Sequence, residues 1–206
     1  MSRTPSATAA AIGVYAGGLI LGMTLVSVPA SSALLKELHG FSDAQYGAIY
    51  LPQLLSAIVG GLAGGLLSNA LGTKRLLILA LACLLLAQLA LAASAVLPPQ
   101  HALAALMITT GCIGLGIGLG SGPLNAYPVV LFPAVSNTAL TALHTIVGVG
   151  MMLAPIYLSA FAQQDHWLMG VLMLSAATLI LTLTAMLAAF PTVATGEATA
   201  TARAKR

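Results

Sequence analysis

The sequence predicts an all-α polytopic membrane protein with six transmembrane helices, and two observations carry that prediction. Charged residues make up 5% of the chain and apolar ones 59%, where a soluble domain carries about 25% charged residues. Six apolar runs follow one another, each longer than the ~20 residues that cross a ~30 Å hydrocarbon core as a helix. Four acidic and seven basic residues cannot build a water-facing surface for 206 residues. A mean hydropathy of +1.03 describes the chain as a whole, not one greasy anchor. Strand-like alternation of polar and apolar residues is absent, which argues against a barrel.

The runs cover residues 9–35, 44–68, 76–97, 102–127, 139–161 and 167–190, and none contains Asp, Glu, Lys or Arg. The first follows Arg3 and is about twice the length of a signal-peptide core, so it reads as a retained helix. Ser42 as N-cap with Gln45 three residues on forms a capping box that opens the second. Pro98-Pro99 separates the third from the fourth, residues 133–137 the fourth from the fifth, and residues 163–166 the fifth from the sixth. Loops this short make successive helices antiparallel. The expected organisation is an N-terminal segment 1–8, a six-helix domain 9–190, and a small, polar, basic tail 191–206 that is predicted to be disordered.

The basic residues orient the bundle. Arg3, Lys74, Arg75, Arg203, Lys205 and Arg206 fall on one side of a six-helix count and only Lys36 on the other. The positive-inside bias predicts cytoplasmic N and C termini in a bacterial-type inner or plasma membrane. No G-x-x-x-x-G-K-[ST] phosphate loop occurs, so any driving force is a gradient. Cys83 and Cys112 sit inside the third and fourth runs, without metal-ligand spacing, and read as packing residues. No cofactor, metal or nucleic-acid partner is expected.

Two features inside the spans draw attention. Glycines recur at intervals of four: Gly13/Gly17 and Gly18/Gly22, Gly60/Gly64 and Gly61/Gly65, Gly114/Gly118/Gly122. Such spacing lets helix backbones approach closely in lipid, and with Pro29, Pro52, Pro123 and Pro155 it also suits helices that bend and slide. Polar residues at membrane depth are the other feature. His144 is the one imidazole in the six runs, and could bind solute, accept a proton or serve structurally. Asn125 and Gln53 offer amides for substrate or for helix–helix hydrogen bonds. Tyr15 could stack on a substrate, whereas Tyr50 and Tyr127 read as interfacial anchors.

Residues 64–77, GGLLSNALGTKRLL, resemble the signature loop of the major facilitator superfamily. Gly65 takes its first Gly, Asn69 the place of its usual Asp, Gly72 the turn, and Lys74 and Arg75 the basic end. Residues 114–128, GLGIGLGSGPLNAYP, and 142–155, ALHTIVGVGMMLAP, look like helices four and five of the fucose-permease-like branch. The usual Arg of helix four has no counterpart here, and Asn69 removes the charge from the loop's latch. The resemblance implies one half of a major facilitator fold, built of two three-helix repeats, and a non-enzymatic secondary transporter of a small polar solute. It implies a gating role for Gly65, Asn69, Gly72, Lys74 and Arg75. A complete facilitator has two such halves, so the chain is expected to work as a homodimer or with a second six-helix half. Helices two and five would face that partner through Gly60, Gly61, Gly64, Gly148 and Gly150.

Three other readings stand beside this one. A rhomboid-type intramembrane protease would use Ser121 of helix four, but Leu119 breaks the Gly-x-Ser-Gly pattern and His144 lies on the wrong helix. A copper importer would use thioethers, such as Met169 with Met173 or Met151 with Met152. A non-transporting half-facilitator subunit of a membrane complex would explain Asn69 and the lack of any intramembrane carboxylate.

Overall fold

A computed structural model describes residues 5–162 and 164–193, and every regular element among them is helical. Arg3, the N-terminal residues 1–4 and the basic tail from 194 onward lie outside the described residues. The helices are α1 (Pro5–Ala30), α2 (Ser32–His39), α3 (Asp43–Ala48), α4 (Leu51–Leu71), α5 (Thr73–Ser94), α6 (Pro99–Leu131), α7 (Ser136–Ser159) and α8 (Gln164–Leu187), with a short 3-10 turn at Pro133–Val135. Six stretches are long and apolar enough to cross a membrane, which marks the chain as an integral membrane protein.

The first two spans depart from the expected run boundaries for local reasons. The first ends at Ala30, not residue 35, and the chain turns at Ser31 into the short α2. That helix buries Leu35, exposes Glu37 and stops at Gly40, whose φ of 67° few other residues adopt. The second span is interrupted between Ala48 and Leu51. Pro52 has no N–H for the carbonyl of Ala48 and its ring crowds that carbonyl, so α3 ends there and α4 starts afresh. The carbonyl of Ile49, left without a helical partner, accepts a hydrogen bond from Thr110 Oγ1 of α6. The predicted capping box is present and opens α3: Gln45 N–H donates to Ser42 Oγ and Ser42 N–H to Gln45 Oε1.

The closest backbone-to-backbone approaches at glycine join helices that are not sequence neighbours. α4 lies parallel to α6, and α1 parallel to α7. A Cβ at Gly114 would run into the Gln53 carbonyl, and one at Gly118 into the Ala57 carbonyl. A Cβ at Gly60 would stand 3.0 Å from the Leu115 carbonyl oxygen. On the other pair, Gly22 meets the Val147 carbonyl and Gly150 the Leu19 carbonyl. Helices approach this closely only where a side chain is missing on the contact line. α5 packs antiparallel to α6, where Gly116 accommodates Leu84 and Gly120 faces Ala80. α5 also packs on α8.

The bundle is covered unevenly. Half of the apolar windows of α1, α5 and α6 is buried, but only 6% of that of α4 and 22% of that of α7. α4 turns Leu54, Leu55, Ile58, Leu62 and Leu66 outward. The two helices that complete the close pairs are therefore the open ones.

Candidate functional site

His144 and Asn125, singled out separately in the sequence, meet in the fold. His144 Nε2 lies 3.1 Å from Asn125 Oδ1, joining α7 to α6. The Asn125 amide is oriented by its other end, since Nδ2 donates to the Ser121 carbonyl at 2.7 Å. Oδ1 can then only accept, so Nε2 is the donor of this contact, and Nδ1 meets no partner among the described residues. His144 is exposed and Asn125 half-buried, on the open side of the bundle.

The pair sits where two polar stripes converge. On α7, Asn137, Thr141, His144, Thr145 and Gly148 follow one another at helical spacing on a single exposed face. The Thr145 hydroxyl donates back to the Thr141 carbonyl, and the Thr138–Thr145 turns line a shallow groove. On α6, Ser121 and Gly122 are exposed one turn before Asn125. From Ser121 a half-open cavity of about 350 Å³ runs toward α4, lined by Gly61, Gly65, Ser68, Asn69, Ser121 and Gly122. The threonines of α7 were not picked out in the sequence, although their period of three and four in an apolar run carried the signal.

The other candidates are placed apart from this pair. Gln53 lies beside Gly114, eleven residues up α6 from Asn125, which is about 16 Å of helix. Tyr15 donates its hydroxyl to the Ala139 carbonyl at 2.8 Å and meets Phe132 edge-on, pinning α1 to the start of α7. Of the glycines expected at a partner interface, Gly60 and Gly64 are buried against α6 and Gly150 against α1. Gly61 and Gly148, together with Gly65, have nothing within 4 Å of an added Cβ and remain on the open side. Tyr127 is not an interfacial anchor: it is buried at 1% exposure, packed against Phe190 at 5.0 Å between ring centroids. Tyr50 is half-buried against Tyr46.

In the loop between α4 and α5, Gly72 has a φ of 77° and ends one helix as it begins the next. Asn69 faces the cavity. Lys74 is committed elsewhere. Its Nζ donates to the carbonyls of Met186 and Ala188, both at 2.8 Å, and lies 5.8 Å from the centre of the Phe190 ring. A cation on the orphan carbonyls of a helix C-terminus both satisfies them and opposes the helix dipole, so Lys74 clamps α8 to α5. Beyond Ala188 the chain crosses the end of the bundle. Phe190 reaches Gly13 of α1, and Val193, within the tail expected to be disordered, packs at the cavity mouth.

A second polar cluster escaped the sequence reading altogether. Gln88 Nε2 donates to Thr24 Oγ1 at 2.6 Å, and Thr178 Oγ1 donates to Gln88 Oε1 at 3.0 Å, tying α5 to α1 and α8. All three side chains are at most 1% exposed. Their signal was a lone Gln in a leucine run, easily read as one more polar interruption. Near α2, Trp167 Nε1 donates to Ser31 Oγ and Tyr46 to the Val28 carbonyl, closing that end.

The alternative chemistries find these partners. Ser121 Oγ donates to the Gly118 carbonyl at 2.8 Å, while the His144 imidazole engages Asn125. Met169 and Met173 are exposed on α8, and Met151 and Met152 on α7. Cys83 and Cys112 are free thiols, half-buried. Among the described residues no three His, Cys, Asp or Glu side chains gather as a metal site.

Fold and site together define a six-helix integral membrane protein with a polar, uncharged face left open between α4, α6 and α7. No protein-family model matches the chain, and no curated protein is detectably similar to it.

Proposed function

We propose that the chain is one six-helix half of a major-facilitator-type secondary transporter that moves a small polar solute across the inner or plasma membrane. The observation that carries this reading is the His144–Asn125 pair at the centre of an open polar face. A polar surface at membrane depth is costly unless protein or water covers it. Solute passing between this face and a second six-helix unit supplies both the cover and a use. The unit is a second copy in the same orientation, or a separate half. The helix pairing supports the two-repeat fold: exchanging the first three spans with the last three converts α4 against α6 into α7 against α1, the two close glycine pairs.

In this reading the His144 ring holds solute, or a coupled proton on Nδ1, while Asn125 fixes its tautomer. Gly61, Gly65 and Gly148 let the partner approach, and the Lys74 end faces the cytoplasm. No catalytic step is assigned. The test is uptake by proteoliposomes against a panel of radiolabelled sugars, polyols and amino acids, with and without an imposed pH gradient. At least one solute should enter faster than into empty liposomes, and His144→Ala should abolish proton-linked entry with insertion intact. An inserted wild-type protein that moves nothing on the panel would favour the second reading, a non-transporting subunit. That reading is supported by Asn69, which leaves the loop without its acid.

A further inference from the structure

We infer that the Lys74 end of the bundle carries a binding site for one anionic phospholipid, in the groove between α5 and the last turns of α4 and α8. The groove is about 640 Å³ and is lined by Leu71, Lys74, Arg75, Ile78, Leu79 and Met186. Its walls are apolar except at one end, where both basic residues stand. Leu79 is 42% and Met186 53% exposed along it, so an acyl chain lying there is flanked by protein and not merely by other lipid.

No acidic side chain among the described residues pairs with the rim. Arg75 is exposed and has no hydrogen bond or ion pair among the described residues. Lys74 spends two of its three N–H donors on the carbonyls of Met186 and Ala188, which leaves one donor and the full charge at the groove. Those same two bonds hold Lys74 fixed, so the ammonium is positioned before any lipid arrives. A planar guanidinium beside a fixed ammonium matches a phosphodiester, whose two free oxygens accept from both. Apolar wall and cationic rim together fit a phosphatidylglycerol-type lipid rather than free phosphate, which would leave the apolar groove unused. Basic grooves between membrane helices hold anionic headgroups in this manner. The site is separate from the His144 face and does not depend on the transport proposal.

The test is native mass spectrometry of the full chain released from nanodiscs of phosphatidylcholine containing a minor fraction of phosphatidylglycerol. One phosphatidylglycerol should be retained per chain, in excess over its share of the bilayer. Arg75→Gln should lower that excess by about fivefold, the worth of one basic residue beside an anionic headgroup. Leu79→Trp, which fills the groove without touching charge, should also lower it. Arg75 and Leu79 are exposed, and an unchanged melting temperature in each variant verifies the fold. Retention in simple proportion to bilayer composition would overturn the inference. So would an excess untouched by Arg75→Gln, or one displaced by inorganic phosphate, which would mark headgroup recognition without the lipid.

Discussion

Two polar clusters of nearly the same chemistry have opposite surroundings in this molecule. Gln88 with Thr24 and Thr178 is sealed among α1, α5 and α8, the Gln88 amide bonded at both ends to threonine hydroxyls. His144 with Asn125 joins α6 to α7 but stands on the open face, with a ring nitrogen unspent. An amide in lipid is equally expensive in either place. The sealed cluster uses its bonds to join helices, whereas the open one keeps hydrogen-bonding capacity that no other described residue consumes. Burial, not residue type, separates the two clusters.

The same division runs through the glycines, and it sets the largest expected effect. Gly118→Val puts a branched side chain against the Ala57 carbonyl of α4 and should cost about 3 kcal/mol, or prevent the pair from closing. Gly148→Ala, on the open face, should cost nothing in the isolated chain. Thermal unfolding of both variants in detergent checks the contrast. Equal losses would mean that the two faces are not distinct.

Next in size, Gln88→Leu strands Thr24 and loses the bond from Thr178, for an expected cost of about 1–2 kcal/mol. Asn125→Ala and His144→Ala should each lower stability by less than about 0.5 kcal/mol, as removals from an open surface do. Denaturant titrations of the three variants side by side would rank them, and a His144→Ala loss as large as that of Gln88→Leu would make His144 structural glue.

How much of this was legible in advance varies by kind of feature. The six spans and the Ser42–Gln45 box were, because hydropathy over twenty residues and a local cap depend on nothing distant. The break at Pro52 was only half legible. Proline announces the interruption, but its repair by Thr110 depends on α6 lying alongside. The site was legible as residues and not as a site. His144 and Asn125 stood out as polar groups in lipid, yet their meeting depends on how α6 and α7 pack. Gly60, Gly64 and Gly150 show the converse. Their spacing signals a close contact without saying whether the neighbour is the same chain or another. Lys74 was read as a topology signal, and its second role as cap of α8 required knowing where a helix more than one hundred residues away ends.

The smallest effect concerns His39, outside the spans. Its Nε2 is buried without a hydrogen-bond partner, and its ring lies 5.1 Å from that of Phe41. Burial holds its pKa below the usual value, against a weaker upward pull from a backbone hydrogen bond with Ser94. The folded state therefore resists protonation more than the unfolded one. Its contribution is intact above the unfolded pKa of about 6.5 and is lost as pH falls below it. The melting temperature should decline on mild acidification, and His39→Leu should flatten that decline.

The claim on which the rest depends is that the face around His144 meets water or solute and the Gln88 cluster does not. Single cysteines at Thr141, Gln88 and Leu172, in a background lacking Cys83 and Cys112, can be exposed to a membrane-impermeant maleimide in vesicles opened to both sides. Labelling at position 141, with none at 88 in the sealed core or at 172 on the outer side of α8, is the expected result. Protection of position 141 to the level of the other two would contradict it.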